Sequence, residues 1–118
     1  MNDQKNKADA GKLKPRLLFE GVPRALMITI AVLSYGEQKY EAHGWKTVSP
    51  ERYEDAFYRH MLDRLAGLGL TDDESGLIHR AHQVCNDLFL LELELQKLTP
   101  AKFKKLLRFN KPPTGHKV

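Results

Sequence analysis

Apolar and polar residues alternate with helical spacing in three long segments of the chain. The first covers residues 23–35 and extends as far as 40, the second covers residues 49–66, and the third covers residues 77–97. A short basic helix is expected over residues 99–108. No segment alternates as a β-strand and no internal repeat is present. The pattern predicts an all-α fold, a small helical bundle of three long helices and one short basic C-terminal helix.

Start and stop signals support these boundaries. Proline suits the first turn of a helix because its missing N–H is not needed there, and it stands at Pro23, Ser49–Pro50 and Thr99–Pro100. In the last two pairs, the hydroxyl residue before proline predicts a side-chain N-cap. Gly67 and Gly69 are expected to end the second helix.

Each long helix places polar groups on or beside its apolar face. A glutamate continues the stripe of the first helix, a histidine lies within that of the second, and two histidines and an asparagine follow the edge of the third. The expected stripes are Leu26, Ile30, Leu33, Glu37 and Tyr40; Tyr53, Ala56, Phe57, His60, Met61, Leu65 and Leu68; and Ile78, Ala81, Cys85, Leu88, Phe89 and Glu92, with His79, His82, Asn86 and Leu90 on the edge.

Bulk properties indicate one domain. The chain has 118 residues, of which 42% are hydrophobic, enough for a single core. We expect a polar arm over 1–15, a helical domain over 16–98, and a short basic helix with a flexible tail over 99–118. The N-terminus lacks a secretory signal and no apolar run reaches membrane-spanning length. The single Cys85 cannot form an internal disulfide, so we expect a cytoplasmic protein.

The net charge is +4, and most of the positive charge lies near the two ends. Such a balance is compatible with an anionic ligand such as a nucleotide, or with nucleic acid. Basic termini are also common as solvated ends of a chain, so nucleic acid is the less favoured partner.

The polar groups on the helix faces are candidate metal ligands. His79 and His82 are one turn apart, with Asn86 a turn further on, so the three side chains share a face of the helix. Two such imidazoles can bind a divalent metal, although the same spacing occurs on solvated helix edges. His60 is either a hydrogen-bonded core histidine or a ligand, with Asp63 on its flank. Glu37 brings a carboxylate from the first helix.

Convergence of these groups from three helices predicts a site for a divalent cation, with Mg²⁺ or Mn²⁺ favoured if carboxylates lead. The catalytic candidates are Glu37, His60, Asp63 and His82, and the metal-ligand candidates are Glu37, His60, His79 and His82. The acidic loop before the third helix, Asp72, Asp73 and Glu74, is a further candidate for the site. Its structural alternative is a capping box, because Thr71 and Glu74 have the required spacing.

Aromatic and basic side chains near the first helix are candidates for nucleotide binding. Aromatic rings can stack on a base, and lysine or arginine can meet phosphate, although the rings are equally suited to a core. No P-loop, dinucleotide-binding or serine-triad signature is present. The candidates are Lys12, Arg16, Lys39, Tyr40, Trp45 and Asn86.

Taken together, short motifs over about residues 8–94 resemble a family of small phage and prophage proteins, the dATP/dGTP diphosphohydrolase N-terminal domain family. The motifs are Asp9-Ala-Gly-Lys12, Pro15-Arg16-Leu, Leu33-Ser-Tyr-Gly-Glu-Gln-Lys39-Tyr40, Trp45, Arg52-Tyr53, Arg59-His60, Asp73-Glu-Ser-Gly-Leu77-x-His79-x-Ala-His82 and Asn86-x-x-Phe89-Leu-Leu-Glu92. The resemblance implies an all-α domain in the host cytoplasm. It further implies metal-dependent hydrolysis of a purine deoxynucleoside triphosphate to the monophosphate and pyrophosphate.

Two departures from the family pattern remove a carboxylate. Gln38 stands where the family has glutamate, beside Glu37, and Leu18 stands near the usual place of an aspartate. They motivate a second hypothesis, a non-catalytic phage protein that binds nucleotide or modulates a host enzyme. A third hypothesis is a nucleic-acid-binding module that uses the basic termini. Because many polar groups lie on inner helix faces, we also expect a homo-oligomer.

Overall fold

The computed structural model describes residues 11–113, so most of the predicted N-terminal arm and the last part of the tail lie outside the described residues. Within this range the chain is helical, with no β-strand beyond an isolated bridge between Thr71 and Ile78. The all-α prediction is confirmed. The helices are α1 (Arg16–Gly21), α2 (Pro23–Lys39), a 3₁₀ turn (Gly44–Thr47), α3 (Pro50–Leu65), α4 (His79–Leu95) and α5 (Pro100–Leu106).

Local signals set most helix ends. The Thr99 side chain caps α5 by accepting a hydrogen bond from the Lys102 N–H at 3.2 Å, as predicted. Ser49 precedes α3 in extended backbone but makes no side-chain cap bond, so that part of the prediction was wrong. Gly67 follows α3 with φ +73°, a left-handed conformation that glycine adopts without steric cost.

Two boundaries differ from the prediction. The short helix α1 was not predicted, because six residues show too little of a helical period; an ion pair between Arg16 and Glu20, one turn apart, spans it. Helix α4 begins at His79 rather than near Leu77, because Leu77 accepts a hydrogen bond from the Asp72 N–H as part of the bridged loop.

The core lies where α4 packs on two neighbours. Helices α3 and α4 run antiparallel and form the most extensive interface, while α2 packs on the first half of α4. Val32 of α2 meets Ala81 and Cys85 of α4 there, and all three are buried. The Cys85 thiol reaches the Thr29 carbonyl oxygen at 3.5 Å, which ties α4 to α2.

Periodicity predicted the packed face of α2 incorrectly and that of α4 only in part, since Ala81 and Cys85 are buried as expected but Leu88 is exposed. In α2 the expected stripe is largely exposed, with Ile30 at 57% and Tyr40 at 59%, and the neighbouring face is buried instead. Residues 25–33 are apolar at every position except Thr29, so the pattern does not distinguish the two faces. In α4 the supposed edge is the face against α3, where His79 is buried. The predicted core positions Leu65, Leu68 and Leu88, like Ile30, Leu33 and Tyr40, are exposed.

The part of the chain that the structure describes contains no helix long and apolar enough to cross a lipid bilayer.

The close approach of α2 and α4 makes a prediction for Ala81, which is only 2% exposed. Ala81→Leu should lower the free energy of unfolding by about 1–3 kcal/mol, because the added carbons overfill a packed interface. Urea denaturation measures the change. The matched control is Ala101→Leu on the exposed surface of α5, expected to change stability by less than about 0.5 kcal/mol. Equal effects of the two substitutions would contradict the packing described.

Candidate functional site

The loop between α3 and α4 brings polar side chains to the start of α4. The Asp72 N–H donates to the Leu77 carbonyl at 2.8 Å, and the His79 N–H donates to the Leu70 carbonyl at 3.0 Å, which closes the loop at its base. Gly76 turns the chain with φ +73°, a conformation that favours glycine. The loop therefore folds back over the first turn of α4 with its acidic side chains near the histidines.

Two histidines face each other across the α3–α4 interface. His60 lies in the third turn of α3, and its Nδ1 is 2.8 Å from Nδ1 of the buried His79. In the metal-free pair one nitrogen must carry a proton and the other a lone pair, because two lone pairs would repel at this distance. A metal ion bound by both nitrogens would take the place of that proton.

His82 completes a cluster of three imidazoles, the histidine cluster of His60, His79 and His82. Its ring stacks on that of His60, with centroids 4.5 Å apart and planes 4° from parallel. Its Nε2 lies 2.7 Å from the Ser75 hydroxyl oxygen, which also accepts the Leu77 N–H at 3.1 Å. The loop thus holds His82 in one orientation.

Asp72 supplies the carboxylate nearest the histidine cluster. Three possible ligand atoms lie within 4.8 Å of one another: an oxygen of Asp72, a ring nitrogen of His60 and a ring nitrogen of His79. One Asp72 oxygen also accepts the Ser75 N–H at 2.8 Å, which orients the carboxylate. Two imidazoles and a carboxylate are a donor set that suits Mn²⁺ or another transition metal better than Mg²⁺, which prefers oxygen ligands alone.

Burial disfavours the charged forms of His60 and His82. Burial lowers the pKa of His60, and positive charge on His82 would lower it further. Burial likewise lowers the pKa of His82, although the carboxylate of Asp72 opposes the shift. For Asp72, burial acts to raise the pKa, but hydrogen bonds from Ser75 and the nearby imidazoles outweigh it and the net shift is downward. Near neutral pH the site therefore has an ionised Asp72 carboxylate beside the uncharged imidazoles of His60 and His82.

Glu74 ties the same loop to the end of α2. Its Oε1 accepts a hydrogen bond from the Tyr35 hydroxyl at 2.9 Å and an ion-paired one from the Lys39 ammonium at 2.5 Å. The hydrogen bond to Lys39 lowers the pKa of Glu74 and raises that of Lys39. This pair is exposed, so its net contribution to stability is small and an incoming anion can compete for the lysine. Because α4 starts after Glu74, the capping-box alternative for Thr71 and Glu74 was wrong.

Trp45 lies in an aromatic cluster with Tyr53 and Phe89. It stacks on Phe89 at 4.2 Å between centroids, and its backbone oxygen accepts the Tyr53 hydroxyl at 2.6 Å. The cluster fastens the 3₁₀ turn onto α3 and α4, so one face of the indole is already occupied by protein.

The other predicted site residues are more widely spread. Asp63 is half-buried and acts electrostatically on His60 from one turn away. Asn86 is half-buried on α4, and its Oδ1 is buried without a hydrogen-bond partner among the described residues. Glu37 and Tyr40 are exposed on the last turns of α2, outside the group of three metal-ligand candidates. Lys12 is also exposed, and Arg16 is engaged with Glu20 in α1.

Sequence reasoning considered Asp72 only as part of an acidic loop and did not assign it to the site, and it missed Ser75. Both lie in the segment GLTDDESG, which has no helical period, so helix projections carry no information about them. The usable signal was proximity in sequence, because a short loop that leads into α4 must return to the histidines of its first turn.

The neutral histidines predict that stability falls with acid. The pKa of His60 and of His82 is lowered in the fold, whereas both titrate near 6.5 when unfolded. Between about pH 7.5 and about pH 5 the unfolded chain takes up more protons, so the free energy of unfolding should decrease as the pH falls. Urea denaturation in the presence of a chelator measures this.

The double variant His60→Gln, His82→Gln should flatten that dependence, and His43→Gln in the exposed loop serves as the control that keeps it. A wild-type stability that stays constant over the same range would exclude the proposed neutral state of His60 and His82.

The aromatic cluster predicts that Trp45 stabilises the fold. Trp45→Ala should lower the free energy of unfolding by about 2 kcal/mol. This is less than the ~3–5 kcal/mol lost when a fully buried aromatic is replaced by alanine, because the indole is half-buried. Trp45→Phe should recover most of the loss, since it keeps a ring to stack on Phe89. Thermal unfolding of the wild type and the variants measures the difference. If Trp45→Ala were as stable as the wild type, the prediction that the indole stabilises the fold would be contradicted.

Comparison with known proteins agrees with the motifs described above. Residues 2–102 match the family model described as dATP/dGTP diphosphohydrolase, N-terminal. The dATP/dGTP diphosphohydrolase of Salmonella phage PMBT28 is 39% identical over 87 residues, which are 74% of this chain and 29% of that protein. The chain thus spans less than a third of the length of this relative, and no solved structure matches it. The chain belongs to the dATP/dGTP diphosphohydrolase N-terminal domain family.

Proposed function

We propose that the chain is a metal-dependent diphosphohydrolase-like protein that cleaves a purine deoxynucleoside triphosphate to the monophosphate and pyrophosphate. The observation that carries the proposal is the convergence of His60, Asp72 and His79 within 4.8 Å, with His82 stacked beside them. The name of the phage relative, a dATP/dGTP diphosphohydrolase, supports the substrate class.

The residues fit a divalent cation. The Nδ1 atoms of His60 and His79 lie 2.8 Å apart and Asp72 brings an oxygen within 4.8 Å of a ring nitrogen of each, so these three would hold the ion. When bound, the ion would polarise phosphate oxygens and offset the negative charge that develops during the reaction. Among the residues predicted from sequence, His60 and His79 keep this role, and Asp72 takes the place that was assigned to Glu37.

His82 is suited to act as a general base. Burial lowers its pKa, so the imidazole is uncharged near neutral pH and has a nitrogen that can accept a proton from water. The contact between the Ser75 hydroxyl and Nε2 holds the His82 ring in place, with its face stacked on the His60 ring. Ser75 is therefore a positioning residue for His82.

Phosphate and base contacts would come from the rim of the site. Lys39 and Tyr35 both donate to the Glu74 carboxylate. A phosphate of the substrate would replace this carboxylate as the anionic partner of Lys39. Asn86 follows His82 by one turn of α4, and its Oδ1 is buried with no partner among the described residues, so it would accept a hydrogen bond from a base only if the side chain turned toward the site. Adenine, guanine and cytosine all carry an amino donor for such a bond, so the purine preference rests on the name of the phage relative.

The test is incubation of the full chain with each deoxynucleoside triphosphate and Mn²⁺ or Mg²⁺, with chromatography of the monophosphate and a pyrophosphate assay. Turnover of purine substrates is expected, and His79→Gln and Asp72→Asn should each lower it at least about tenfold. His43→Gln, the same substitution at an exposed loop position, is the matched control. Circular dichroism checks that the variants remain folded.

Absence of any monophosphate product, or full activity of His79→Gln, would overturn the catalytic proposal. Calorimetry with a purine nucleotide then tests whether the chain binds nucleotide without hydrolysing it. Tight binding of a purine nucleotide without product would identify a nucleotide-binding protein, the alternative that the replacements at Gln38 and Leu18 motivate.

A further inference from the structure

Helix α2 exposes a second apolar face. Its packed side contributes Val32 and the partly buried Ile28 to the core, but Met27 is 71% exposed, Ile30 57% and Leu33 41%. A helix that is apolar around its whole circumference is normally buried on all sides. Within the described chain, α2 is covered on one side only.

Helix α4 has an uncovered apolar stripe next to α2. Val84, Leu88 and Leu91 follow one another at spacings of four and three residues, and between 42% and 51% of each is exposed. Val84 also lines the groove between α2 and α4, together with Ala25 and Ile28. The groove and the stripe form one continuous apolar surface, here called the α2–α4 surface.

The described helices leave many of their large apolar side chains exposed, Val84, Leu88 and Leu91 among them. Among residues 11–113, only Val32, Ala81 and Cys85 form the buried apolar core.

The charges at the two ends of this surface are complementary to each other. Arg24 and Arg80 line the groove at one end, while Asp87 and Glu94 line the stripe at the other, with Val84 common to both. In a twofold interface the same patch meets itself in reversed orientation, so each end contacts the opposite end of the partner. A patch that is basic at one end and acidic at the other is therefore suited to a second copy of itself.

We propose that the α2–α4 surface is the interface of a homodimer, with a twofold axis near Val84. This arrangement sets the arginines of one copy, Arg24 and Arg80, beside Asp87 and Glu94 of the other, and covers Leu88 and Leu91. Complementary charge fixes the orientation of such an interface, while the apolar centre supplies most of its affinity.

The experiment is light scattering with size-exclusion chromatography on the full 118-residue chain at micromolar concentration. The expected mass is twice 13.5 kDa. Leu88→Glu, at a position 47% exposed in the single chain, should give a folded monomer. A wild-type monomer, or a Leu88→Glu variant that remains fully dimeric, would overturn the proposal.

Charge reversal tests the proposed orientation. Arg24→Glu and Asp87→Arg should each raise the dimer dissociation constant at least about tenfold, because each places like charges together. The double variant should restore it, since the pair is then reversed on both sides of the axis. Glu54→Arg on the exposed surface of α3 is the control, with no expected change. A double variant that dimerises more weakly than either single one would contradict the twofold arrangement.

Discussion

The contact between His60 and His79 is the constraint on which the rest of the site depends. Burying two imidazoles at a helix interface carries a free-energy cost unless their nitrogens find partners. Each finds the other at 2.8 Å, which holds the third turn of α3 against the first turn of α4. The contact of Tyr53 with Phe89 near the other end shows that the two helices run antiparallel. At the same interface, Arg64 Nε donates a hydrogen bond of 3.2 Å to Oε1 of the buried Gln83, so this polar side chain also has a partner.

That register explains the connection between the two helices. The end of α3 and the start of α4 are brought together, so the intervening loop must fold back on itself, and the Thr71–Ile78 bridge closes it. Folding back places Asp72 and Ser75 beside the histidines and directs Glu74 toward α2. A loop that would otherwise only connect two helices thereby supplies the carboxylate and the hydroxyl of the site.

The sequence predicted the helices better than it predicted their packed faces. Proline, threonine and glycine act locally, so they placed the ends of α2, α3 and α5 within a few residues. A packed face can be predicted only if one side of a helix is apolar and the other polar. Residues 25–33 show almost no such difference, since all but one are apolar. His60, His79 and His82 were predicted because helix spacing aligns them. Asp72 was named only as part of an acidic loop and Ser75 was missed, because loop geometry depends on tertiary hydrogen bonds, which no periodicity encodes.

The proposed site and the proposed interface occupy different sides of α4. At 3.6 residues per turn, Val84, Leu88 and Leu91 lie on the side of the helix opposite His79 and His82. The histidines face α3, whereas the stripe faces away from it, and α2 packs between these two sides through Ala81 and Cys85. Association through the stripe would therefore bury Val84, Leu88 and Leu91 while the histidine cluster and the loop over it stayed open to a ligand. One helix can serve catalysis and assembly because its three faces carry different chemistry.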